Sequence, residues 1–231
     1  MKPIKFLLTV FILSVDCVAN AQTLVINDFE SYDNTDALRS EWFVFGAAIA
    51  DRPYIDSNAN DGTKAALLPV NWSGSNNDAN LNYFSNLGAA GDLSAYTAVN
   101  VFVNLQTAGD PPSNSTSVLL AIQGGAGNSI FQTDSGFAQI ATVGSYSELS
   151  FSLSEPEMVL TEDNSDSFAD VLSNISSIRL RFENTSTSGA QNILVDSLTA
   201  VPEPSSIALL LGLGSLSFVL YRRKLKNNYE K

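Results

Sequence analysis

Between residues 22 and 200 the chain offers a narrow choice of reactive groups. It contains no histidine, and its single cysteine, Cys17, stands near the N-terminus. A Ser-His-Asp triad, an imidazole base and a histidine metal ligand are excluded, and a thiol nucleophile or thiolate zinc site would depend on Cys17 alone. What remains is oxygen chemistry. Residues 22–200 hold 21 acidic residues against five basic ones (Arg39, Arg52, Lys64, Arg179 and Arg181), a net charge of −16 beside −12 for the whole chain. Nucleic-acid binding needs a basic surface to displace counterions, so that class is excluded. Paired carboxylates can cleave glycosidic bonds, but no pair here has a distinguishing local motif. Carboxylates and carbonyls can also hold calcium, which takes six to eight oxygens. The segment Asp56-Ser57-Asn58-Ala59-Asn60-Asp61-Gly62 superficially follows an EF-hand loop. Its glycine is one place late, however, and Leu67 stands where the bidentate Glu belongs.

A second set of groups could bind rather than react. Sugar binding needs aromatic faces for stacking and amides or charges for hydroxyls. Phe102, Asn104, Gln106, Gln123, Arg179, Arg181 and Glu183 all fall on the polar faces of alternating segments. An outward Phe102 between amides and two outward arginines would suit a shallow glycan groove, with Trp72 and Tyr54 as further candidates. The plainer alternative makes the aromatics core or loop anchors, and the acids turn caps.

These groups must be positioned by strands. Val99, Val101, Val103 and Leu105 alternate with Asn100, Phe102, Asn104 and Gln106, and Ile178, Leu180 and Phe182 alternate with Arg179, Arg181 and Glu183. Leu149, Phe151 and Leu153 are separated by serines. Period-two alternation marks strands with one face on a core. Further strands are expected at residues 24–29, 64–70, 80–84, 117–123, 130–133, 139–143 and 192–198, between Gly-, Asn-, Ser- and Pro-rich turns. Only residues 36–41 and 167–173 suggest a helical turn. The expected fold is all-β, a single antiparallel β-sandwich.

The two ends read differently from the body. Lys2 and Lys5, the apolar run from Phe6 to Val15 and Ala19-Asn20-Ala21 make a signal peptide over 1–21, with the mature chain starting near Gln22. Cys17 then leaves with the leader, and Asp16 stands where a lipoprotein site wants a small residue. At the other end Val201-Pro202-Glu203-Pro204 precedes an apolar run, Ile207 to Tyr221, and a basic cluster at Arg222, Arg223 and Lys224. This order predicts a C-terminal transmembrane helix that holds the chain transiently in the inner membrane, with the body outside.

The tail from Val201 to about Lys226 resembles the PEP-CTERM sorting signal of Gram-negative bacteria. That resemblance implies processing near Pro202, Glu203 and Pro204 by an exosortase after signal peptidase, and delivery to the cell surface or an exopolysaccharide and biofilm matrix. Within the body, Asp28-Phe29-Glu30, Asp61-Gly62-Thr63-Lys64, Asp92-Leu93-Ser94-Ala95-Tyr96 and Ile193-Leu194-Val195-Asp196-Ser197-Leu198 follow one another in an informative order. This looks like the galactose-binding-like jelly roll of many carbohydrate-binding modules. The resemblance implies a structural calcium between the first strand, the long loop after it and the last strand. The matching positions are Asp28, Glu30, Asp61 and Asp196, with turn capping as the alternative use of these acids. Asp28 and Glu30 stand two apart, which on a strand puts both side chains on one face. The function expected is non-catalytic polysaccharide binding by residues 22–200, ahead of a tag at 201–231. A matrix protein without a sugar site, or a small carboxylate-based glycosidase or lyase, are the alternatives.

Overall fold

The alternating segments become the central strands of two sheets. The computed structural model describes residues 22–73, 77–84, 87–107, 116–184 and 188–203. Its strands are β1 (Leu24–Asn27), β2 (Trp42–Phe45), β3 (Tyr54–Asp56), β4 (Ala65–Trp72), β5 (Asp78–Tyr83), β6 (Tyr96–Thr107) and β7 (Thr116–Gly124). They continue as β8 (Ser129–Thr133), β9 (Gln139–Ala141), β10 (Ser147–Ser152), β11 (Met158–Glu162), β12 (Ile175–Glu183) and β13 (Gly189–Pro202). Two short helices interrupt them, α1 (Thr35–Glu41) and α2 (Phe168–Ser173). Each starts where a polar side chain satisfies an orphan N–H: Asn34 accepts from Ala37, and Ser167 and Asp170 form a reciprocal capping box.

One sheet runs β10-β6-β13-β4-β3, with β1 also on β13. The other runs β11-β8-β7-β12-β5-β2, with β9 also on β7. The apolar set of β6 belongs to the first sheet and that of β12 to the second. Val99, Val101, Val103 and Leu105 thus share one buried cluster with Ile178, Leu180 and Phe182, together with Leu120, Ile122, Ile193 and Val195. Every strand pair with an assigned register is antiparallel, as the sandwich expectation requires. Thr23–Val201 forms one compact unit with this core; the other unit comprises the two chain ends. The expected leader, residues 1–21, lies outside the described residues.

The expected C-terminal transmembrane helix is corrected. Among the described residues no helix is long and apolar enough to cross a membrane. The segment that suggested it, Ile207–Tyr221, lies outside them, as do Pro204, Arg222, Arg223 and Lys224. The physical reason is length, since such a run makes about 22 Å of helix against a hydrocarbon core of about 30 Å. Gly212, Gly214, Ser215 and Ser217 also lower its helix propensity. The expected membrane partner and the transient inner-membrane stage find no spanning helix to support them among the described residues.

Candidate functional site

The outward face of the second sheet brings aromatic, amide and arginine side chains into rows. Antiparallel registers place Phe43 opposite Asn82, Asn82 opposite Arg179 and Arg179 opposite Ala121. The next row runs from Phe45 through Asn80 and Arg181 to Leu119. Gln123 pairs with Ser177 and accepts from its hydroxyl at 3.3 Å. Alternation sends the intervening Leu81, Leu180 and Leu120 into the core, with Val44 packed against it.

At the β2 edge three phenylalanines stand in the open. Phe43, Phe45 and Phe84 are 42%, 37% and 43% exposed, which is unusual for large apolar side chains gathered in one place. Their rings support one another: Phe43 lies 5.5 Å from Phe45, nearly parallel, and 5.1 Å from Phe84, edge-on. The Arg179 guanidinium sits 4.8 Å above the Phe45 ring, within cation–π range. Burial lowers the Arg179 pKa, while nearby Glu162 favours its charge. Arg181 pairs with Glu183 at 2.7 Å. The Nε atoms of Arg179 and Arg181 and the Oδ1 of Asn82 are buried without a partner. Beside Phe43 opens a cleft of about 320 Å³, lined by Arg39, Trp42, Phe43, Val44, Arg52 and Pro53. Arg39 Nε donates to the Pro53 carbonyl at 2.8 Å, fixing one wall.

The sequence-expected ligand residues divide between the two sheets. Gln123, Arg179 and Arg181 lie on β7 and β12 of this face, whereas Phe102, Asn104 and Gln106 lie on β6 of the other sheet. Asn104 is buried, and Phe102 and Gln106 are half-buried. Trp72 is an internal anchor, 1% exposed, with its Nε1 donating to Gln191 Oε1 at 2.8 Å. Tyr54 packs with Ala59 and Tyr146 over a small second cluster of Ala65, Leu67 and Leu194. Sequence reasoning missed Phe43, Phe45, Phe84, Arg39 and Arg52. The signal was Trp42-Phe43-Val44-Phe45, an apolar run without alternation, which on a half-buried strand leaves aromatics pointing outward.

Three of the four acids matched to a calcium site, Asp28, Glu30 and Asp196, serve the chain's own backbone. Asp28 Oδ1 accepts from Glu30 N at 3.1 Å. The Glu30 carboxylate accepts from Thr63 N and Lys64 N, both at 2.6 Å, and from Thr63 Oγ1 at 2.8 Å. Those donors, led by the Thr63 amide, hold its pKa below the ordinary value. Asp196 is fully buried and accepts from Asn60 N at 2.7 Å and Asp61 N at 2.9 Å. Burial raises its pKa despite these bonds. Among the described residues no group of three or more acidic side chains stands close enough to hold an ion. A second cationic group is already at hand: Lys64 Nζ donates to the carbonyls of Glu30 at 2.9 Å and Tyr32 at 2.8 Å. This donor set does not fit a shared calcium ion, because three of its four carboxylates are already engaged by N–H groups.

Comparison with known proteins bears on the two parts separately. The PEP-CTERM protein-sorting motif matches residues 200–224. No curated protein matches the chain in sequence. Among solved structures, the family 11 carbohydrate-binding module of cellulosomal cellulase Lic26A-Cel5E of Clostridium thermocellum superposes with a TM-score of 0.53 at 11% identity, over 80% of this chain and 96% of that one. A non-crystalline cellulose specific carbohydrate-binding module, CBM28, gives a TM-score of 0.50 at 12% identity, over 78% and 94%. An exo-beta-agarase gives 0.51 at 16% identity over 78% of this chain but only 25% of its own. At these identities the likeness is one of fold. The sorting motif and the jelly-roll body expected from the sequence are both present.

Proposed function

We propose that this is an exported, non-catalytic protein whose body binds polysaccharide on the outward face of the second sheet, and whose tail directs it to the cell surface or matrix. The observation that carries this reading is the exposed cluster of Phe43, Phe45 and Phe84 beside Arg179. Flat apolar rings stack on sugar faces, and the half-buried Gln123 amide suits hydroxyls, while Asn80 and Asn82 are buried beneath the rings and arginines. The folds of the two carbohydrate-binding modules support the same class of ligand. An open face with supported rings also needs little ordering on binding, which favours affinity.

The test is a panel of polysaccharides against the purified protein, with Phe43→Ala and Phe45→Ala beside it. Saturable binding that these substitutions weaken would establish the face. A folded protein that binds no glycan would point to a matrix or adhesion role through protein contacts. Sustained release of reducing ends would instead favour the glycosidase or lyase alternative.

A further inference from the structure

Charge is unevenly distributed over the body. Four of its five basic residues are arginines, and all four border the exposed phenylalanines. Arg39 and Arg52 line the cleft with Phe43, Arg179 lies over Phe45, and Arg181 follows Phe45 and Asn80 in the same row. The other 22 charges of the body are 21 acids and Lys64, so this edge is where its positive groups are concentrated. Acids are not absent from it: Glu183 holds Arg181, Glu162 lies near Arg179, and Asp78 accepts from Asn80. Yet Arg179 Nε and Arg181 Nε remain buried without partners. Arg179 is half-buried with its guanidinium over the Phe45 ring, so its outer edge and not the enclosed Nε would meet a ligand.

Resting on the glycan reading above, we infer that this face takes an anionic polysaccharide, one that bears carboxylates or sulfates. Arg179 and Arg52 are its main charge contacts, and Phe43 and Phe45 its stacking surface. Arginine presents a planar fork that matches such oxyanions, and a guanidinium already lying on a ring is partly pre-organised. The body's net charge of −16 repels a polyanion at long range. Screening beyond about 8 Å at physiological salt leaves the local arginines to decide contact. Generic adsorption is thereby disfavoured, and only a built site would retain the ligand.

Calorimetric titration of the full-length protein tests this with three probes: oligogalacturonate for carboxylate, a sulfated dextran fragment for sulfate, and a neutral mixed-linkage β-glucan oligosaccharide. The expected result is binding of a charged probe about ten-fold tighter than the neutral one, weakening as salt is added. Arg179→Gln and Arg52→Gln should each lower that affinity about five-fold with an unchanged melting temperature. Which charged probe wins identifies the source of the anion. Equal or tighter binding of the neutral probe overturns the anionic class and leaves the glycan face standing. Undiminished binding by both arginine variants overturns the assigned contacts. No heat from any probe, with the protein folded, removes the glycan face as well.

A separate observation lies in the loop between β3 and β4. We infer that the Lys64 ammonium fills the structural role that a bound cation would have there, bridging the carbonyls of Glu30 and Tyr32 while the Lys64 main-chain N–H is held by the Glu30 carboxylate. The full-length protein should then melt at the same temperature with EDTA or added calcium, while Lys64→Met lowers that temperature by roughly 5 °C. A fall with EDTA in the unmodified protein overturns this, as does an unchanged melting point in Lys64→Met.

Discussion

The outward faces of the two sheets have opposite fates. On the first sheet, Tyr54, Ala59 and Tyr146 pack over Ala65, Leu67 and Leu194, and the Tyr146 hydroxyl donates to the Asn58 carbonyl at 2.5 Å. Asp196 sits fully buried beneath the same loop, holding two of its amides. On the second sheet nothing comparable covers Phe43, Phe45 or Phe84 among the described residues. Both faces carry apolar side chains among polar ones, so composition does not separate them. What separates them is the loop of residues 57–64, which covers one face and has no counterpart over Phe43, Phe45 and Phe84 among the described residues. A lid converts polar groups into structure, whereas an open face keeps them available for recognition.

The comparison can be broken most forcefully at Asp196. Asp196→Leu would strip Asn60 N and Asp61 N of their acceptor and should cost about 3 kcal/mol or more in urea unfolding. Asp196→Asn keeps an acceptor and should cost far less. Gly62→Ala should follow, at about 1–3 kcal/mol, because Gly62 has φ +72° and a Cβ there would collide with the Glu30 carboxylate. Neither change should alter glycan binding once folding is accounted for. Phe45→Ala reverses the pattern: stability should change by less than about 1 kcal/mol, while glycan affinity falls roughly ten-fold.

Acid sharpens the comparison more gently. The depressed Glu30 pKa adds stability above its unfolded value, and this is lost as pH falls through the folded one. The raised Asp196 pKa has the opposite sign: its contribution is full below the unfolded value and is lost as pH rises through the folded one. As pH falls toward the ordinary aspartate range, Asp196 therefore offsets part of the loss at Glu30. The Asp196→Asn variant should lose stability more steeply over that range, measured by melting at successive pH values. The smallest effect should come from Gln106→Ala, which lies on the other sheet and should leave glycan affinity within about two-fold.

Much of the fold could be read from residue alternation, because a core on one side of a strand forces it. Val99 to Leu105 and Ile178 to Phe182 declared their inward faces, and the two helical turns expected at 36–41 and 167–173 are present as α1 and α2. The site was less legible for the same reason. Alternation says which side chains point outward but not which sheet they point from, so Phe102 and Arg179 looked like neighbours and are not. Phe43 and Phe45 were hidden because an apolar run reads as doubly buried. For the acids Asp28, Glu30, Asp61 and Asp196, spacing alone does not distinguish an ion from a row of backbone amides as their partner.

The last strand gives the tail a mechanical meaning. β13 lies between β6 and β4, pairs at its far end with β1, and runs without a break into Pro202 of the sorting motif. Tension applied through the tail would enter the body along this interior strand. Antiparallel hydrogen bonds lie across the strand direction, so such a pull must shear many of them together instead of unzipping them one by one.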